Sequence, residues 1–239
     1  ILAICVATVI IGGIKSIAQV ASKIVPLMAA LYLFAGFVVL VMNFGAIPDA
    51  FATILKGAFG VDAAAGGFLG AIIQGVRRAA FSNEAGIGSA AIAHAAAKTD
   101  CAVSQGLVAM LGPFIDTVII CTMTALVIVV SGVYVDGVGM EGVELTSRAF
   151  GSAISWFPYV LAVAVLLFAF STMISWSYYG ARAFAYLFGE SKLADNSFKL
   201  GYCVLIIAGA SADLNNVINL TDAMIFAMAL PNVIGLYVL

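Results

Sequence analysis

The residues best able to do chemistry lie together in Gly75-Val-Arg-Arg-Ala-Ala-Phe-Ser-Asn-Glu-Ala-Gly-Ile-Gly-Ser89. Arg77, Arg78 and Glu84 stand between two apolar pieces, Gly66–Gln74 and Ala90–Ala97. Neither piece reaches the roughly 20 residues that a bilayer crossing needs, whereas both pieces and the polar centre together do. An arginine at that depth costs about 2.5–3.5 kcal/mol on insertion scales, so such groups must face protein, water or each other. Gly86 and Gly88 let the backbone leave the helix and approach a ligand closely. Peptide groups freed in this way need partners inside a membrane, and a bound ion with a bound zwitterion would supply them. Amides near Ser89, at the start of the second half-helix, would suit a carboxylate. Two plainer readings compete: an ordinary loop between re-entrant hairpins, and an ion pair of Arg77 or Arg78 with Glu84 that only holds structure together.

A second polar cluster is Phe170-Ser-Thr-Met-Ile-Ser-Trp-Ser-Tyr-Tyr-Gly180. Residues four apart share a helix face, so Ser171 aligns with Ser175 and Thr172 with Trp176. Hydroxyl oxygens are hard ligands suited to Na⁺, and the Trp176 indole offers a flat wall to an aliphatic side chain. The alternative is that these hydroxyls bond their own i−4 carbonyls and pack small faces. Asp116, which follows Pro113, is expected either to face a water-filled path or to pair with Arg77 or Arg78. Asp222, beside Thr221, reads as a helix-start residue. His94 is the single histidine and reads as structural. No pair among Cys5, Cys101, Cys121 and Cys203 has zinc or redox-motif spacing. The chain has no paired-His helix motif, phosphate loop or nucleophile elbow, so an enzyme is not expected.

The elements that must position these residues follow from hydropathy. Ile1–Ile14 reads as the tail of a spanning helix, Lys15–Lys23 as a polar connection, and Ile24–Phe44 as a full span with Pro26 in its first turn. Gly45–Ala65 reads as an interfacial loop with an amphipathic helix near Ala50–Ala58. Gly66–Ala97 is the interrupted span, and Gly106–Val130 is an uninterrupted one. Val133–Trp156 reads as a loop with an amphipathic helix, and Pro158–Leu187 as a long span. Glu190–Lys199 reads as a charged turn, Leu200–Ala212 as a short span, and Val217–Tyr237 as a last span that Pro231 should bend. Lys15, Lys23, Lys98, Lys192 and Lys199, with Arg182, fall on one set of connections, which the positive-inside bias makes cytoplasmic. The other set holds only Lys56 and Arg148 beside Asp49, Asp62, Asp136, Glu141, Glu144 and Asp213.

Composition supports this reading. Of 239 residues, 64% are hydrophobic and 9% charged, against about 25% charged in an average soluble domain. A globule of this length still exposes a large fraction of its area, so the remaining solvent is lipid. The same hydrophobicity excludes intrinsic disorder, and a net charge of −2 leaves no basic face for nucleic acid. The expected fold class is an all-α integral membrane protein with a discontinuous helix, in a multi-pass plasma-membrane setting. Oligomeric state is left open.

The stretch Gly75–Ser89, its continuation Ala90-Ala-Ile-Ala-His-Ala-Ala-Ala-Lys-Thr-Asp100, and Gln105-Gly106 resemble the signature of the alanine/glycine:cation symporters of bacteria and archaea, the sodium:alanine symporters. Phe170–Tyr179 with Gly180-Ala-Arg-Ala, and Leu220-Thr-Asp222 with Met228-Ala-Leu-Pro-Asn232, resemble the C-terminal half of that family. Cys101 departs from the proline expected there. The resemblance implies a five-plus-five inverted repeat, with Gly66–Ala97 as the broken sixth core helix and Pro158–Leu187 as the eighth. Ile1–Ile14 and Ile24–Phe44 would be the fourth and fifth, so 1–239 would be one transporter domain, a fragment lacking the first three core helices. It further implies symport of a small neutral amino acid, alanine or glycine, with Na⁺ as coupling ion. An unwound Phe81–Gly88 backbone with Phe81, Ser82, Asn83 and Gly86 would meet the substrate, Thr172 and Trp176 would close the pocket, and Ser171, Thr172 and Ser175 would offer hydroxyls to Na⁺. Proton coupling, a channel and a non-transporting membrane protein are the alternatives.

Overall fold

The computed structural model describes residues 1–59, 67–84, 86–136 and 142–238. Asp62 and Glu141 of the predicted loops lie outside them. The described residues form helices and no strands: α1 (Leu2–Ile11), α2 (Gly13–Met42), a 3₁₀ turn (Phe44–Ala46), α3 (Ile47–Phe59), α4 (Gly67–Ser82) and α5 (Ser89–His94). There follow α6 (Ala102–Pro113), a π-helical stretch (Phe114–Cys121), α7 (Thr122–Ser131), α8 (Val133–Asp136), α9 (Val143–Ala153), α10 (Phe157–Phe188), α11 (Lys192–Gly209) and α12 (Leu214–Val238).

Four helical segments among the described residues are long and apolar enough to cross a bilayer: Gly13–Met42, Ala102–Ser131, Phe157–Phe188 and Leu214–Val238. The chain itself buries between 11% and 28% of the residues in their most apolar windows. Phe34, Phe37, Leu107, Leu111, Leu166 and Leu230 are among the large apolar side chains left outward, which suits lipid rather than water. With continuous apolar helices satisfying their own backbone groups, this is a multi-pass membrane protein.

Several boundaries differ from expectation. Lys15–Lys23 is no connection but the first turns of α2. Lys15, Gln19 and Lys23 recur every four residues, so they form one polar stripe on a helix whose other face buries Ile17. Pro26 is consequently interior rather than first-turn, and the Ser22 carbonyl loses its i+4 donor. The break falls instead at Gly12–Gly13, where Gly13 adopts φ +66°. Glu190–Lys199 is mostly helix: Ser191 caps α11 by accepting from the Ala194 amide at 3.1 Å, and Lys199 reaches Asp195 at 2.6 Å. The predicted short span is the later part of α11. α12 runs as one helix through Pro231.

The chain divides into two compact units. One comprises Ile1–Pro26, Glu84–Ala109 and Leu167–Leu239; the other comprises Leu27–Asn83 and Met110–Leu166. In the first, Val6 and Ile10 of α1, Ile17 of α2 and Ile174 of α10 form a core that Tyr202 and Ile206 of α11 cover. The Tyr202 hydroxyl donates to the Met173 carbonyl at 2.7 Å. A Cβ at Gly180 would stand 2.5 Å from Phe198 Cζ, so the missing side chain is what lets α10 and α11 approach. In the second unit, Tyr32, Val39, Met123, Val127, Phe150 and Phe157 form the core. The predicted amphipathic helix is α9, whose Ala149 and Phe150 are fully buried, with Phe150 5.4 Å from the Tyr32 ring and 5.0 Å from Phe157.

Candidate functional site

The stretch expected to be an interrupted crossing contains two helices of unequal length, α4 and α5. α4 runs without a break through Arg77, Arg78, Phe81 and Ser82. Expectation had the backbone unwound from Phe81, but the stretch before Asn83 is rich in helix formers and contains no proline, so nothing stops the helix earlier. Asn83 closes it by donating its amide to the Ala79 carbonyl at 2.9 Å. Of the described residues that follow, Glu84 adopts φ +56°, Gly86 +77° and Gly88 +86°. Two of these three positions are glycine, as left-handed backbone demands; at Glu84 an L-residue bears a cost of about 1–2 kcal/mol. α5 has only six residues, so its amides are local donors rather than the end of a long dipole.

In the unit holding α4, both residues at its C-terminal end are tied to the π-helical stretch. The Ser82 hydroxyl donates to an Asp116 carboxylate oxygen at 2.5 Å. Asn83 donates its side-chain amide to Thr117 Oγ1 at 2.7 Å and accepts from that hydroxyl at 3.0 Å. The open question over Asp116 thus resolves onto Ser82, a partner not foreseen. The π-helix follows Pro113 and occupies 114–121; its wider i→i+5 turn presents the neighbours Asp116 and Thr117 to the same end of α4. Arg78 lies 5.8 Å from the Phe81 ring centroid, a cation–π contact, and Phe81 is itself exposed.

In the other unit, three contacts hold the unwound segment. Glu84 accepts from the buried Ser89 hydroxyl at 2.6 Å, and the Tyr179 phenol of α10 interacts with the same carboxylate. Asn232 of α12 donates to the Gly86 carbonyl at 2.9 Å. A Cβ on Gly88 would stand 2.8 Å from Asn232 Oδ1, so glycine is required there by space as well as by dihedral angle. Thr117, Tyr179 and Asn232 are the positioning residues that sequence reasoning did not single out. Asn232 stood within a stretch resembling the family and directly after Pro231, which was the one available signal.

On α10, the Ser171 and Thr172 hydroxyls both donate to the Phe168 carbonyl at 2.9 Å, and Ser175 donates to Ser171 at 2.9 Å. Their protons are therefore used within the helix, while their oxygen lone pairs stay free to accept or to ligate a hard cation. Ser171 is buried, Thr172 exposed and Trp176 half-buried, with its indole edge-on to Tyr179 at 5.6 Å. Asp222 is no helix-start residue: it lies within α12, 4% exposed, while Asp213 caps that helix by accepting from the Asn216 amide at 3.1 Å. His94, at the end of α5, pairs with Gln105 of α6 at 2.7 Å. No group of three or more His, Cys, Asp or Glu among the described residues could hold a metal ion.

The described residues are those of a multi-pass helical membrane protein, in one unit of which Tyr179 of α10 and Asn232 of α12 brace left-handed backbone at Glu84, Gly86 and Gly88. Comparison with known proteins narrows the class. The sodium:alanine symporter family matches residues 1–239, and the chain belongs to that family. It is 43% identical over its full length to the sodium/alanine symporter AgcS of Methanococcus maripaludis, of which it covers 53%. Two Bacillus subtilis relatives are the "Probable sodium/glutamine symporter GlnT", 41% identical over 97% of this chain and 48% of that protein, and the amino-acid carrier protein AlsT, 37% identical over 98% and 50%. The chain spans about half the length of these curated relatives. Its family is one of symporters rather than enzymes.

Proposed function

We propose that the whole protein carries a small neutral amino acid, alanine or glycine, across the membrane together with Na⁺. The observation that carries this reading is the left-handed backbone at Glu84, Gly86 and Gly88. Ser82 and Asn83 are held by Asp116 and Thr117, Glu84 by Ser89 and the Gly86 carbonyl by Asn232, so the peptide groups outside those bonds are the ones that would grip a zwitterion. Phe81 and Gly86 flank those groups. Thr172 and Trp176 limit the length of the substrate side chain. Ser171, Thr172 and Ser175 contribute hydroxyl oxygens to Na⁺. Arg77 and Arg78 on α4 and Asp116 on the π-helix shape the electrostatics on either side of the opening. An inverted repeat of five plus five core helices is the architecture this reading requires, with α4 and α5 as the broken helix of the second repeat. Ion and amino acid stabilise the same closed state, so each raises the affinity for the other.

The test is uptake of labelled alanine into vesicles holding the whole protein, with and without an inward Na⁺ gradient. Accumulation that depends on the gradient supports the proposal. Equal uptake in both, driven instead by a proton gradient, replaces Na⁺ with H⁺. Ionic currents without accumulation would make the protein a channel. The names of relatives include alanine and glutamine, so a panel from glycine to glutamine belongs in the same assay.

A further inference from the structure

A groove separate from the opened helix lies in the first unit, where the chain turns twice, at Gly12–Gly13 between α1 and α2 and at Gly189–Ser191 between α10 and α11. Its cavity of about 350 Å³ falls in the range of small-molecule sites, roughly 300–1,000 Å³. The floor is apolar: Ile14 and Phe184 are half-buried, and the core residues Ile10 and Ile17 lie at its base. The floor hydroxyl of Ser177 is already spent on the Ile174 carbonyl at 2.6 Å. The rim is charged. Arg182 lies over the Tyr178 ring at 5.3 Å and 3.8 Å from Glu190, while Lys199 is held by Asp195 at 2.6 Å. Lys192 has no ion-pair partner among the described residues. Three cations against two carboxylates leave one positive charge in excess, and the N-terminal dipole of α11 adds to it.

The depth of this rim selects the kind of ligand. α10 has 32 residues, about 48 Å at 1.5 Å per residue, against a hydrocarbon core of about 30 Å. Centred in the bilayer, it projects about 9 Å at each end. Arg182 lies six residues before Phe188, so it falls about 9 Å inside the helix end, at the boundary between acyl chains and headgroups. The end in question is the one that Lys15, Lys98, Lys192 and Lys199 mark as cytoplasmic, the leaflet face where basic side chains meet anionic lipid. Arginine suits a phosphodiester because its planar fork gives paired donors. A charged rim at headgroup depth over an apolar floor matches an amphiphile and mismatches a free anion, which would gain nothing from Ile14 and Phe184.

We propose that this groove is a binding site for one anionic phospholipid, its phosphodiester at Arg182 and Lys192 and an acyl chain against Ile14 and Phe184. The inference is independent of what the opened helix carries. It is tested on the purified, delipidated whole protein by native mass spectrometry, titrating phosphatidylglycerol and phosphatidylcholine with identical acyl chains. Phosphatidylglycerol is expected to bind at least about ten-fold more tightly. Arg182→Gln with Lys192→Gln should abolish that preference, whereas Lys98→Gln, on the same side but outside the groove, should leave it intact. Equal binding of the two lipids, an unchanged preference in the double variant, or displacement of phosphatidylglycerol by millimolar inorganic phosphate would each overturn the proposal. Should the double variant fail to fold, a photoactivatable phosphatidylglycerol on the wild-type protein decides the matter. Crosslinks on peptides holding Ile14 or Phe184 support the site, and crosslinks only elsewhere refute it.

Discussion

Gly88→Ala is the most direct probe of the opened helix. Gly88 adopts φ +86°, where an L-residue costs about 1–2 kcal/mol. The new Cβ would also stand 2.8 Å from Asn232 Oδ1 and 3.0 Å from its Cγ. Asn232 would have to move, and the 2.9 Å bond it donates to the Gly86 carbonyl would be lost, at a net cost of about 1 kcal/mol. The sum is about 2–3 kcal/mol, which lowers the population of the braced conformation roughly 30- to 150-fold. Gly86→Ala provides the comparison: φ is +77°, but the nearest atom is Val233 Cγ2 at 3.9 Å, so only the dihedral cost applies and the loss is about 5- to 30-fold. Gly70→Ala, within α4 and with open space around it, should be neutral or stabilising by up to about 1 kcal/mol. Alanine uptake by the reconstituted whole protein, normalised to protein inserted, reads the series. Wild-type uptake in Gly88→Ala, or equal damage from Gly70→Ala, would refute the bracing of the opened segment by Asn232.

Glu84→Gln keeps an acceptor for Ser89 but loses its charge, weakening bonds worth about 1.5–3 kcal/mol to a neutral one near 1 kcal/mol. Uptake should fall roughly ten-fold at unchanged surface level, and normal turnover would return Glu84 to a bystander. Trp176→Ala is expected to raise uptake of glutamine relative to alanine in a competition assay; an unchanged ranking removes Trp176 from the pocket. The backbone amides of Ser104 and Val103, with the Ser104 side chain, hold the exposed Cys101 thiol below the ordinary thiol range. A lowered value means more thiolate at neutral pH, so a charged, membrane-impermeant maleimide should label Cys101 faster than Cys5 or Cys203, and from the cytoplasmic face alone. Labelling of Cys101 from outside would invert the assigned topology.

The amino-acid sequence alone determined that the chain lives in lipid and where its long spans run, and it marked Gly86 and Gly88, where the backbone turns left-handed. Hydrocarbon tolerates no unsatisfied backbone, so apolar runs and their polar gaps are strong signals read residue by residue. The same local reading misplaced the polar start of α2, because Lys15, Gln19 and Lys23 mark a face as readily as a loop. It also opened the helix at Phe81, since composition around Ser82 and Asn83 cannot distinguish a last helical turn from a first unwound one. Only tertiary structure paired Ser82 with Asp116, Asn83 with Thr117, and the Gly86 carbonyl with Asn232, a residue 146 positions away. Such partners meet through the packing of separate helices and, for Asp116 and Thr117, through the wider turn of the π-helix. A hydrogen bond of that kind leaves no periodic trace in either segment, so it becomes visible only when the chain is folded.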